Sequence, residues 1–93
     1  MATLIAFHEV NDGQTWASAW RHGPGSRHEM FAKIGVKART FRDPNNHEVT
    51  GVLIEAPDIE RFEAFMATDE VKKAMEEDGL KVETIRILSE FSP

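Results

Sequence analysis

The stretch HEVTGVLIEA, residues 47–56, carries apolar side chains on both of its faces, Val49 and Leu53 on one and Val52 and Ile54 on the other. Its β-branched residues and period of two mark a strand. A strand that is apolar on both sides has to be covered on both sides, and that constraint decides what the rest of the chain must supply. Just before it, VKARTFR (36–42) alternates as a second strand. Asp43-Pro44-Asn45-Asn46 between them is a turn signal, because proline presets its φ while Asp and Asn side chains bond the backbone two residues on. The two strands form a hairpin at the middle of the chain.

On the N-terminal side, TLIAFHEV (3–10) reads as a strand with Leu4, Ala6, His8 and Val10 on one face and Ile5 and Phe7 on the other. Asn11-Asp12-Gly13 ends it and offers an N-cap. Trp16 and Trp20, four apart with alanines between, predict a helix over 13–22. Gly23-Pro24-Gly25 stops that helix, since proline cannot extend the hydrogen-bond ladder. Ser26-Arg27-His28-Glu29 then has the form of a capping box, Met30, Phe31 and Ile34 supply an apolar stripe, and Gly35 closes the second turn of helix. The segment HGPGSRH is thus read as a helix end followed by a helix start.

On the C-terminal side, Asp58 caps a helix carrying Ile59, Phe62, Phe65 and Met66. Thr68-Asp69 opens a further helical segment with Val71, Ala74 and Met75, and LKVETIRILSEF (80–91) is a last strand. The order is β-α-β-β-α-β over one domain, residues 1–93. This is the α+β, ferredoxin-like arrangement of a four-stranded antiparallel sheet with helices on one face. The other face of the sheet is left bare, and it is not polar: Ile85, Ile87 and Phe91 oppose Leu80, Val82 and Leu88 on the last strand alone. Soluble monomers avoid such a patch. The expected remedy is a homodimer, two sheets packed face to face about a two-fold axis.

Composition removes several functions. Among 93 residues there is no cysteine, so neither a disulfide framework nor a thiolate nucleophile is available, and the cytoplasm is the expected compartment. The net charge of −5 lacks the basic surface that nucleic-acid binding requires. No apolar run reaches membrane-spanning length, and MATLIAFHEV reads as a strand rather than a signal peptide. Neither nucleic acid nor membrane is expected as a partner.

The candidate chemistry is sparse. None of the four histidines (His8, His22, His28, His47) stands at metal-chelating spacing to another, so no metal is expected. There is no phosphate loop and no nucleophile elbow, and no cofactor is implied. Glu70, Glu76, Glu77 and Asp78 read as the solvated face of the late helix. His8 stands apart because it falls within a central strand, where a buried imidazole needs a partner or a use. Trp16 and Trp20 offer rigid apolar walls. Arg39 and Arg86 lie mid-strand, where each needs a carboxylate from the protein or from a ligand. A cleft with His8 at its floor and the tryptophans along its wall would take a small aromatic or acidic molecule.

The segments LIAFHEVND, GVKARTFRDP, GVLIEAPD and AMEEDGLKVETIRIL resemble small bacterial members of the dimeric α+β barrel superfamily, over essentially the whole chain. Relative to them, WRHGPG looks like an insertion after a shorter first helix. The superfamily includes cofactor-free monooxygenases, polyketide cyclases, muconolactone-isomerase-like and chlorite-dismutase-like enzymes, and stress-response proteins without an assigned activity. The resemblance therefore implies the fold and leaves the chemistry open. Two readings follow: a small-ligand-binding or structural homodimer without catalysis, or a cofactor-free enzyme acting on a small aromatic or polyketide-like molecule, with His8 moving a proton.

Overall fold

The computed structural model describes residues 2–93. Strand β1 (Ala2–Val10) leads into helices α1 (Gly13–Ala19) and α2 (Arg27–Ala32). The hairpin β2 (Lys37–Asp43) and β3 (Asn46–Ala56) follows, then α3 (Ile59–Met66), α4 (Asp69–Glu77) and β4 (Leu80–Ser89). The four strands form one antiparallel sheet in the order β2-β3-β1-β4, the ferredoxin-like arrangement. No helix among the described residues is long and apolar enough to cross a membrane.

Each helix starts where a side chain can take up its free amides. The Asp12 carboxylate accepts from the backbone N–H of Gln14 and Thr15, Asp58 from that of Arg61, and Thr68 from that of Val71. Ser26 caps α2 by accepting from Glu29 N–H at 3.1 Å. The capping box is displaced by one residue: the Glu29 carboxylate accepts from Gly25 N–H, while Ser26 N–H donates to the Gly23 carbonyl. Gly35 and Gly79, at φ +74° and +75°, turn the chain out of α2 and α4. Helix α1 ends at Ala19 rather than 22, with Trp20 as its C-cap, because the chain already turns there toward the Gly-Pro-Gly break.

Strand register sorts the side chains. Leu4 faces Ile54 and Ser89, Ala6 faces Val52 and Ile87, and Val10 faces Leu80, all on the side the helices cover. There Val10, Val52 and Ile54 pack against Trp16, Phe31 and Phe62 in a single core. The opposite side carries Ile5, Phe7, Leu53, Phe41 and Leu88, of which Phe7, Phe41 and Leu88 are 43%, 46% and 53% exposed. β4 departs from simple alternation. Between the pairs Phe7–Arg86 and Glu9–Lys81, one residue of β1 (His8) stands against four of β4, Val82–Ile85. The Thr84 hydroxyl fills the gap in the ladder, accepting from Glu9 N–H at 2.8 Å and donating to the Lys81 carbonyl. This wide bulge puts Leu80 on the same face as Ile87, where strict alternation would separate them.

Candidate functional site

Helices and sheet do not close completely. Between them lies a cavity of about 440 Å³ with a floor of Leu4, Ala6, Val52 and Ile54 and a wall of aromatic rings from Trp16, Trp20, Phe31 and Phe62. Ile85 and Ile87 of the edge strand border it. That volume is within the range that holds small molecules, and an apolar lining with few polar groups is how such sites are usually built.

His8 also lines this cavity, beside the β4 bulge, and is buried. Its Nδ1 lies 2.5 Å from the Thr50 hydroxyl, across the β1–β3 ladder, and that hydroxyl donates to the His8 carbonyl at 2.9 Å. A hydroxyl has one proton. With that proton on the carbonyl, the Thr50 oxygen accepts from Nδ1–H and Nε2 is an acceptor; with it on Nδ1, Nε2 carries the ring proton and donates, so the role of Nε2 follows the tautomer. Nε2 has no hydrogen-bond partner among the described residues. Burial pushes the imidazole below its ordinary pKa, a backbone hydrogen bond partly opposing, so His8 is neutral at pH 7.

Trp16 stands edge-on to His8, ring centroids 6.0 Å apart. It is 3% exposed, and its indole N–H has no hydrogen-bond partner among the described residues. α1 brings it here because Gly13, at the first turn, lies directly against the His47 carbonyl of β3. Trp20 stacks on Phe31 and meets the edge of His28. His28 in turn lies flat against His22, centroids 4.0 Å apart, and its pKa is lowered by burial and then by the neighbouring His22. No three His, Cys, Asp or Glu side chains among the described residues are grouped to hold a metal ion.

One flank of the cavity is formed by an ion pair that no local pattern announces. Arg27, the first residue of α2, donates through Nε and Nη2 to the two carboxylate oxygens of Asp78, the C-cap of α4, at 2.8 and 2.7 Å. The hydrogen bonds Arg27 donates to Asp78 outweigh burial and raise the Arg27 pKa above its ordinary value. Asp78 is therefore not part of the solvated face with Glu70, Glu76 and Glu77; those three are exposed and Asp78 is buried.

The structure thus gathers His8, Trp16 and Trp20 around one cavity and leaves Arg39 and Arg86 out of it. Arg39 pairs with Leu53 and Arg86 with Phe7, on the bare side of the sheet. Arg39 lies over the Phe41 ring at 5.7 Å instead of against a carboxylate. Thr50 went unmarked in the sequence, Arg27 was read only as part of the capping box, and Asp78 only as solvated surface. Thr50 alone had a signal there, since pairing the first and third strands in antiparallel register can set it opposite His8.

No protein-family model matches the sequence, and no curated protein matches it either. Among solved structures, the chain is similar to one described as a crystal structure of an antibiotic biosynthesis monooxygenase, with a TM-score of 0.72 over all of this chain and 99% of the other. At 12% identity that similarity carries the fold.

Proposed function

We propose that this chain, folded like a known monooxygenase, binds a small and largely apolar molecule, aromatic by preference, in the cavity between its sheet and helices. One observation carries the reading: an apolar cavity of about 440 Å³ walled by the rings of Trp16, Trp20, Phe31 and Phe62, with the buried His8 imidazole among its few polar groups. His8, Trp16 and Trp20 are the residues assigned to the ligand. Arg39 and Arg86 belong instead to the bare face. The exposed apolar side chains of that face support the second half of the proposal: a homodimer in the cytoplasm whose two sheets cover Phe7, Phe41 and Leu88.

Tryptophan emission and melting temperature, followed against a panel of small aromatic compounds, test the binding. A ligand present at a hundredfold excess over its Kd should stabilise the fold by about 2.7 kcal/mol and perturb Trp16 and Trp20. If no compound changes either signal at millimolar concentration, the cavity is not a ligand site. For assembly, light scattering should give twice the 10.5 kDa chain mass, and Leu88→Asp should abolish it. Ile87, the alternative in the other register, faces the cavity.

The neutral imidazole of His8, anchored at Nδ1 by Thr50, favours a second reading, catalysis. In the Nδ1–H tautomer, an imidazole whose Nε2 has no protein partner can take a proton from an acidic C–H or O–H of the bound molecule, the opening step of a cofactor-free isomerase, cyclase or monooxygenase. Deuterium exchange into a bound ligand distinguishes the two readings. Exchange that His8→Phe abolishes while binding persists would make His8 a base; binding without exchange would leave the protein a binder.

A further inference from the structure

We infer that the ligand of this cavity is a cationic amphiphile, an aryl-alkyl amine in its simplest form, which enters ring first and leaves its ammonium in water at a mouth marked by Glu63. The inference rests on the cavity being the ligand site and adds the shape and charge that the site reads.

The cavity has a direction. Leu4, Ala6 and His8 line it from alternate positions of β1, and a strand rises about 3.4 Å per residue, so about 13 Å separate the Leu4 end from the His8 end. At the His8 end, His8 and Asp78 are buried. Three of the lining residues are exposed: Glu63, Ile87 and Ser89. Ser89 pairs with Leu4 and Ile87 with Ala6, which sets Ser89 at the Leu4 end and Ile87 midway. Glu63 belongs to the Leu4 end because of how the helices run. α3 begins three residues after Ala56, the partner of Ala2, whereas the Asp78 cap of α4 lies two residues before Leu80, the partner of Val10. Glu63 is about one turn into α3. The mouth is thus the gap between α3 and the last residues of β4, and a molecule longer than the chamber emerges there. The buried rings of Trp16, Phe31 and Phe62 wall the interior, so an aromatic ring packs inside and its chain points outward.

The charges of the lining are unequal. Arg27 gives two nitrogens to both oxygens of Asp78, and the Glu77 carboxylate stands 4.0 Å from its Nη2. Two carboxylates therefore meet one guanidinium at the deep end. The remaining nitrogen, Nη1, has no partner among the described residues and can donate to a neutral group, but an anion brought to it meets a cation already outnumbered. At the mouth, Glu63 makes no ion pair among the described residues, and Ser89 adds only a hydroxyl. A carboxylate on the ligand is thus disfavoured at either end. An ammonium inside the apolar chamber would lose its water at high cost. Held at the mouth by a chain that spans the chamber, it keeps that water and gains the attraction of Glu63.

The experiment measures Kd by calorimetry at pH 7.5 for 2-phenylethyl, 4-phenylbutyl and 6-phenylhexyl chains, each ending in an amine, an alcohol or a carboxylate. Affinity should rise about fourfold for each methylene that enters the chamber. At the 6-phenylhexyl length the amine should bind roughly threefold to tenfold tighter than the carboxylate, the scale of an exposed charge pair, and about 0.5 M salt should narrow that gap. Glu63→Gln should bring the amine-to-carboxylate ratio close to one and Ser89→Glu should raise it, with alcohol binding unchanged in both and circular dichroism confirming the fold. Tightest binding by a carboxylate, or by the 2-phenylethyl compounds, overturns the ring-first reading while the cavity stands as a ligand site. An amine preference that persists undiminished in folded Glu63→Gln overturns the assignment to Glu63. If none of these compounds binds while another small aromatic compound does, this inference alone falls; if no aromatic compound binds at all, the ligand site is refuted and the inference falls with it.

Discussion

Replacing Asp78 by alanine should destabilise this protein more than any surface charge change, and the structure sets the size of the effect. The Arg27–Asp78 pair is bidentate, with side chains 18% and 8% exposed. An exposed ion pair contributes about 0–1 kcal/mol, whereas stranding one charge of a fully buried pair costs about 3–5 kcal/mol. Arg27 keeps some contact with water, so Asp78→Ala should cost about 2–3 kcal/mol, between those limits. For a chain of this length that corresponds to a melting temperature lower by about 10–20 °C. The measurement is urea denaturation of Asp78→Ala, Arg27→Met and the double variant. Because the pair joins α2 to α4 across 51 residues of sequence, the double variant should lose less than the sum of the singles, with a coupling of about 1–2 kcal/mol. A loss below about 0.5 kcal/mol in Asp78→Ala, with no coupling, would show a solvent-screened contact and refute the reasoning.

Three further outcomes are expected. Gly13→Ala should destabilise despite alanine's advantage of about 1 kcal/mol in a helix interior, because the added Cβ would meet the His47 carbonyl oxygen and only a backbone shift, costing about 1–3 kcal/mol or more, relieves it; an unchanged or raised melting temperature would contradict that packing. Acid should weaken the fold through His8: its folded pKa lies below the unfolded value of 6.5, so the unfolded chain binds more protons between the two, and stability present above pH 6.5 is lost as pH falls toward the lowered value. Melting curves from pH 7.5 to 5 should show less of this acid loss in His8→Phe than in the parent. Ser26→Ala should cost about 1 kcal/mol in denaturant titrations, the worth of an N-cap hydroxyl.

The local grammar of the chain was legible because it operates over three or four residues. Asp12, Ser26, Asp58 and Thr68 each cap a helix by reaching an amide two or three positions on, and strands of period two announce their own faces. From these follow the β-α-β-β-α-β order and the ferredoxin-like sheet. What the sequence could not carry is how one strand's faces align with another's. The parity of Arg39 is plain within its own strand, but only the β1–β3 and β2–β3 registers place it on the opposite side of the sheet from His8. The bulge that shifts Leu80 onto the cavity face depends on Thr84 meeting Glu9 from 75 residues away. Element order and caps were thus determined by the sequence, since short-range sterics and hydrogen bonds decide them. The cavity, the His8–Thr50 contact and the Arg27–Asp78 pair were decided by tertiary structure, because the two contacts are meetings of groups that only the packed sheet and helices bring within 3 Å, and the cavity is the space that packing leaves.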